Sequence, residues 1–196
     1  MTESKQALWQ EVLDFWFLPA ADSQHGQTRP EWFRKDPAFD ASILALFGTV
    51  IDEALCGGLR DWDHDTKGAL ARIVVLDQFT RNAYRDTPRA FAGDALAQQA
   101  AIALIGQGRD RQLGRTERQF AYLPFEHAED PALQERSVAL FRALEQETGA
   151  TDLADYAVRH RDIVRRFGRF PHRNRILGRA STPEESEFLK QPGSGF

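Results

Sequence analysis

The segment TKGALARIVVLDQFTRNAY, residues 66–84, is apolar almost all the way round a helix. A helix of this kind is buried inside a domain, because each of its faces must be covered by other apolar side chains. The β-branched run at 73–75 falls inside this helical pattern, and nowhere in the sequence do apolar and polar residues alternate as they do in a half-buried strand. The sequence therefore predicts an all-α fold with this helix at its centre.

Capping pairs mark where several other helices begin. In each pair an Asp or Thr side chain can accept from a free amide, and the proline that follows presets the first helical φ. The pairs are Asp36-Pro37, Thr87-Pro88, Asp130-Pro131 and Thr182-Pro183. Together with apolar stripes at helical spacing, they predict roughly eight helices. We expect these near residues 4–18, 37–56, 66–84, 93–106, 114–122, 131–148, 151–167 and 182–190.

Length and composition restrict the class of protein. A chain of 196 residues with 42% hydrophobic content predicts a single folded domain over residues 1–196. Short links between its helices favour an antiparallel helical bundle or stacked helical hairpins. A net charge of −4 argues against binding to nucleic acid or to an anionic membrane, and no apolar run is long enough to span a bilayer. The only cysteine, Cys56, leaves no disulfide within the chain, so we expect a cytoplasmic protein.

Two charged residues interrupt the apolar stripe of the central helix. Asp77 and Arg81 are four residues apart on the face that also carries Leu70 and Val74, so their side chains can form an ion pair. Such a pair is costly to desolvate, which indicates either a structural network or the wall of a polar cleft. The structural interpretation is slightly favoured, and the ligand-binding interpretation stays open.

A second anomaly is the arginine density of RHRDIVRRFGRFPHRNRILGR, residues 159–179. Gly168 is typical of a helix end and Pro171 of a helix start, so free backbone amides and guanidinium groups meet in the turn between them. This combination favours an anion. The sequence predicts that an anionic small molecule or a peptide carboxylate is bound by six residues, Asp77, Arg81, Arg169, His172, Arg173 and Asn174. The alternative is that the arginines pair with carboxylates elsewhere on the surface.

Histidines and carboxylates near the same segment allow an enzymatic alternative. Glu126, His127 and His160 are candidate catalytic residues, acting as acid and base in a hydrolase- or lyase-type reaction on an anionic substrate. Their spacing does not match a helical two-histidine metal motif, so we expect no metal site. No glycine-rich phosphate loop and no serine elbow occurs in the sequence, so no cofactor is expected.

Several of these segments resemble one bacterial family. They are VLDFWF at 12–17, PEWF at 30–33, LDQFTRNAYR at 76–85, LPFEHAED at 123–130 and HRDIVRRFGRFPHRNRILGRASTPEE at 160–185. Over about residues 8–190 the chain is similar to the family called domain of unknown function 924. The resemblance implies a helical fold similar to tetratricopeptide repeats, and it implies no catalytic residue, substrate or cofactor. Ala128 departs from the family pattern, in which serine follows the histidine.

Three functional hypotheses follow from these observations. The first is a binding protein that holds an anionic small molecule or peptide end in a cleft rich in arginine and histidine. The second is the enzyme with Glu126, His127 and His160 as its acid and base. The third is a pure interaction scaffold, which would present exposed apolar patches without a convergent polar site.

Overall fold

The fold is all-α, as the sequence predicts. A computed structural model describes residues 3–195, with side chains from residue 8 onward, and this part of the chain contains helices and no strands. The helices are α1 Glu3–Phe17, α2 Pro37–Leu55, α3 Thr66–Val74, α4 Thr80–Ala83, α5 Asp94–Gly106, α6 Arg115–Glu126, α7 Pro131–Thr148, α8 Leu153–Phe167 and α9 Pro183–Phe188. Each predicted helical segment corresponds to a helix, and the largest error at a boundary is the end of α6, predicted near 122.

The chain divides into two compact units. Unit 1 runs to Arg85 and includes Arg89–Pro124, whereas unit 2 contains Asp86–Pro88 and the chain from Phe125 onward. That the chain folds as one domain stays a prediction, as does the arrangement similar to tetratricopeptide repeats. None of the helices within the described chain combines the length and the apolar character that crossing a bilayer requires.

An aromatic cluster forms the core of unit 1. Trp16 at the end of α1 lies with its ring centroid 5.7 Å from that of Phe79 and 5.4 Å from that of Phe120, and Trp32 packs edge-on against Phe120 at 4.7 Å. The indole N–H of Trp32 and the guanidinium of Arg29 both donate to the carbonyl of Trp16, at 3.1 and 2.8 Å. These bonds supply donors that the end of a helix lacks, and they join the VLDFWF and PEWF segments.

A π-turn interrupts the central helix, which the sequence predicts as continuous. Residues Val75–Phe79 form a π-helix between α3 and α4, and all five are buried. In a π-turn an amide donates to the carbonyl five residues earlier and not to the one four residues earlier. Carbonyls near the turn therefore lose their usual α-helical donors. Three side chains donate to those carbonyls from four residues further on: Thr80 to Leu76 at 2.8 Å, Arg81 to Asp77 at 2.8 Å and Asn82 to Gln78 at 3.1 Å. The LDQFTRN segment therefore supplies its own donors.

The ion pair predicted between Asp77 and Arg81 is present. The guanidinium of Arg81 lies 3.1 Å from the Asp77 carboxylate, and it also binds both oxygens of Asp94 on α5, at 2.8 and 3.1 Å. Gln78 donates to the second oxygen of Asp77 at 2.6 Å. Burial alone would lower the pKa of Arg81, but the two carboxylates raise it above its ordinary value. The pair therefore belongs to a network that joins the central helix to α5, which supports its structural interpretation.

Helices α7 and α8 form a hairpin in unit 2. Ile163 and Val164 on α8 pack with Phe170, and Phe167 and Phe188 cover this group. The predicted helix end at Gly168 is confirmed, since Gly168 has a left-handed φ of 72° and its amide donates to the carbonyl of Val164. The capping box predicted at the start of α9 is also confirmed.

We predict that the π-turn depends on the hydroxyl of Thr80. Thr80→Val keeps the side-chain shape but removes the donor to a fully buried carbonyl, so it should lower the free energy of unfolding by about 1–3 kcal/mol. Thr148→Val is the comparison at an exposed position: Thr148 donates to Leu144 at 2.7 Å in the last turn of a regular α-helix, so its loss should be smaller. Urea denaturation measures both variants. Equal losses would mean that the π-turn places no special demand on this hydroxyl.

Candidate functional site

The turn after α8 carries the residues that the sequence singled out in unit 2. Gly168 ends the helix, and Pro171–Arg173 form a short 3-10 helix immediately afterwards. Phe170 between them is fully buried. The predicted ligand residues Asp77 and Arg81 lie in unit 1, and the other four lie on this turn in unit 2.

Two of the predicted ligand residues are bound to Glu185. Arg169 makes a two-pronged ion pair with this carboxylate, with Nε 2.7 Å from Oε1 and Nη2 2.8 Å from Oε2. Asn174 donates to Oε2 of Glu185 at 3.2 Å and to the hydroxyl of Ser181 at 3.1 Å. The hydrogen bond from Arg169 is the main reason why the pKa of Glu185 falls to about 2. Arg169 and Asn174 therefore fasten the start of α9 to the turn.

Arg179 and Glu129 form a second internal pair, which sequence reasoning did not single out. The guanidinium of Arg179 binds both oxygens of Glu129, at 2.6 and 2.9 Å, and its Nε donates to Asn174 at 3.0 Å. Glu129 also accepts from the backbone amide of Phe170 at 2.8 Å. Burial alone would raise the pKa of Glu129, but the donors from Arg179 and Phe170 hold it below its ordinary value.

Other arginines of the 159–179 segment pair with carboxylates on the surface. Arg165 lies 2.7 Å from Glu135, and Arg166 lies 2.8 Å from Glu184. Arg161 binds Asp162 at 2.8 Å. These arginines, like Arg169 and Arg179, are paired with carboxylates of the protein, as the structural interpretation predicts.

Two imidazoles and one guanidinium lie beside Phe170, and a third imidazole lies next to one of the two. The ring centroids of His160 and His172 each lie 5.6 Å from that of Phe170, and the ring of His127 lies 6.3 Å from that of His160. The guanidinium carbon of Arg173 lies 4.5 Å from the centre of the Phe170 ring. We call His127, His160, His172 and Arg173 the imidazole cluster.

His160 is the most deeply placed imidazole, with 4% of its surface exposed. Its Nδ1 lies 2.9 Å from the carbonyl of Tyr156, and because a carbonyl only accepts, Nδ1 carries the proton. The same nitrogen lies 3.4 Å from Oε1 of Glu126. The structure therefore brings the three predicted catalytic residues, Glu126, His127 and His160, into one neighbourhood.

Burial keeps two of these imidazoles neutral. Desolvation is the main reason why the pKa of His160 falls to about 3 and that of His172 to about 4, and the charge of Arg173 contributes to both decreases. Near pH 7 both rings are neutral hydrogen-bonding groups. A histidine with so low a pKa is a weak general base, because an effective base has a pKa near the working pH. This argues against His160 as the proton acceptor of an enzyme.

The described residues contain no group of three or more His, Cys, Asp or Glu side chains with the geometry to hold a metal ion. The absence of a metal and of a cofactor stays a prediction. Cys56, the one thiol, is exposed.

Comparison with known proteins assigns the chain to a class of helical proteins without an established activity. Residues 12–193 match the family described as bacterial protein of unknown function, DUF924, and the protein belongs to that family. A solved structure of a protein of unknown function from Agrobacterium tumefaciens is 40% identical and superimposes with a TM-score of 0.82, covering 95% of this chain and 98% of that chain. Comparison with curated proteins yields no match.

We predict that His160 makes the protein less stable as the pH falls below 6.5. The ordinary pKa of histidine, about 6.5, applies to the unfolded chain, and burial lowers the pKa in the folded protein to about 3. Between these values the unfolded chain binds a proton that the folded protein does not, so stability falls by about 1.4 kcal/mol per pH unit. His160→Asn keeps an N–H donor for Tyr156 and should remove this part of the slope between pH 6.5 and 4.5.

Chemical denaturation at several pH values measures this slope. The matched control is His64→Gln, which removes an exposed imidazole in unit 1 and retains His160. The prediction is wrong if His160→Asn and the wild type lose stability equally over this range.

Proposed function

We propose that this protein is a small-molecule binding protein that takes an anion at the imidazole cluster of unit 2. The observation that carries the proposal is the arrangement of two neutral, largely buried imidazoles beside the guanidinium of Arg173 around one aromatic ring. Desolvating these groups costs folding free energy, and such costs concentrate at functional sites.

The position of Arg173 beside two imidazoles supports it as the ligand-binding member. Arg169 and Arg179 are each engaged by both oxygens of a carboxylate, which fixes their guanidinium groups within the fold. Arg173 lies against the face of Phe170, and its charge contributes to the lowered pKa of both His160 and His172. An anion close to Arg173 would offset this positive potential.

The chemistry of these donors indicates the class of anion. A guanidinium binds carboxylate and phosphate oxygens through parallel N–H donors, and a neutral imidazole N–H adds a further directed bond. The ligand class is therefore a small carboxylate or phosphate, including the free carboxylate of a peptide end. Binding should tighten as the pH falls, because a bound anion favours protonation of the neighbouring histidine.

The contact between Glu126 and His160 favours a second candidate function, a hydrolase or lyase acting on an anionic substrate. Their side chains are both almost fully buried and lie 3.4 Å apart, as an acid–base pair would. In this mechanism Glu126 is the better base, because burial makes the ring of His160 a weak proton acceptor. Consumption of a bound anion over time would favour this candidate, and an unchanged anion would favour the binding protein.

The interaction scaffold has weaker support. The large apolar side chains that are exposed among the described residues are spread over four segments of the chain; they are Phe33, Leu44 and Leu46 on α2, Ile102 and Tyr156. A docking surface for a protein partner would gather such residues into one continuous patch.

We predict that small anions stabilise the wild-type protein through Arg173. A ligand that binds only the folded state adds RT ln(1 + [L]/Kd), which is about 2.7 kcal/mol at one hundred times Kd. Arg173→Met removes the guanidinium and keeps most of the apolar stem, so this gain should disappear. Arg175→Met is the matched control, because Arg175 is exposed, lies two residues away and carries the same charge.

Thermal unfolding with phosphate, a small dicarboxylate and a peptide with a free or an amidated carboxyl end measures the gain at constant ionic strength. The free peptide should stabilise the protein and the amidated peptide should not. Kosmotropic anions also stabilise proteins that have no binding site for them. Specific binding is therefore measured by the difference in stabilisation between the wild type and Arg173→Met. Equal gains in the wild type, Arg173→Met and Arg175→Met, with every anion, would contradict the proposed function.

A further inference from the structure

The turn between α6 and α7 carries three groups that matter to the candidate site. Glu126 is the last residue of α6, His127 follows it, and Glu129 binds Arg179 and the amide of Phe170. The last carbonyls of a helix have no intrahelical donor, so a helix end of this kind needs donors from elsewhere. The position of all three side chains therefore depends on what holds these carbonyls.

One buried side chain holds them. Gln134 on α7 is completely buried, and its Nε2 lies 2.6 Å from the carbonyl of Glu126, 2.7 Å from that of Ala128 and 3.4 Å from that of Phe125. A single amide group thus donates to the backbone on both sides of His127. Buried hydrogen bonds of this kind are expensive to lose, because the acceptors would be left without a partner.

The backbone of Gln134 is itself held in place. Its backbone amide donates to the carbonyl of Asp130 at 3.0 Å, in the first turn of α7. The side chain of Asp130 caps that turn by accepting from the amides of Ala132 and Leu133, at 2.8 and 2.9 Å. A capped helical turn therefore holds the carboxamide against the end of α6, which gives the turn between the helices one defined geometry.

We propose that Gln134 is the positioning residue of the imidazole cluster: its carboxamide sets the backbone of residues 125–128, so that Glu126 and His127 face His160. The inference rests on the proposed function for the role of the cluster, but the geometry that it concerns is measured without any ligand. Glu126 lies 3.4 Å from His160, and the ring of His127 lies 6.3 Å from that of His160. A rotation of the peptide groups that Gln134 holds would displace both side chains from α8.

The test is Gln134→Met, which keeps the length of the side chain and removes its N–H donors. The matched control is Gln146→Met on the exposed face of the same helix. Imidazole resonances in proton–nitrogen spectra report His127 and His160 directly. In Gln134→Met both should shift, and the midpoint of the His160 titration should move by about one pH unit or more towards the ordinary histidine value. Gln146→Met should leave both resonances and the titration as in the wild type.

A purely structural role would lower stability and leave the imidazole signals and the titration of the folded variant unchanged, and this result would overturn the inference. A second measurement, on the wild type, covers the case in which Gln134→Met does not fold. The side-chain amide protons of Gln134 should exchange with solvent at least roughly a hundredfold more slowly than those of Gln146, because burial and hydrogen bonding protect them from exchange. Equal exchange rates would also overturn it.

The proposed function is tested separately by adding phosphate to the same samples. If the wild type does not respond to phosphate but the imidazole signals change in Gln134→Met, the positioning role stands and anion binding fails. If the wild type binds phosphate and the imidazole signals are identical in Gln134→Met, anion binding stands and the positioning role fails.

Discussion

A polar group that is removed from water is costly unless it finds a partner inside the protein, and this constraint shapes both units. In unit 1 the π-turn of the central helix is possible because Thr80, Arg81 and Asn82 donate to carbonyls four residues earlier. In unit 2 the end of α6 is possible because one carboxamide, that of Gln134, donates to three carbonyls. Buried polar side chains in this protein are therefore first of all part of its architecture.

The same constraint accounts for three structural arginines. Arg81, Arg169 and Arg179 each bind both oxygens of a carboxylate, and each joins two segments that are distant in sequence. A guanidinium held in this way has little freedom to bind a further anion. In the imidazole cluster, burial lowers the pKa of His160 and of His172, and both rings and Arg173 lie beside Phe170.

Local patterns predict the helices well, because proline-led caps and apolar stripes act over a few residues. Asp36, Asp130 and Thr182 cap their helices as predicted. The π-turn could not be predicted, since its apolar residues fit an uninterrupted helix equally well. The sequence also reveals that Arg169 is unusual without revealing its partner, because Glu185 is sixteen residues away. Gln134 was missed because a single glutamine in a helix has no distinctive pattern, and only the fold brings it to the end of α6.

The central claim is that a small anion binds at Arg173 and His172. The most direct measurement is a phosphate titration followed by the Nε–H resonance of Arg173 and the imidazole resonances of His172. The account predicts that both shift and saturate with one common dissociation constant, while the Nε–H resonances of Arg169 and Arg179 stay in place because Glu185 and Asn174 hold them. Shifts that grow without saturation, or that appear equally at all three arginines, would contradict it.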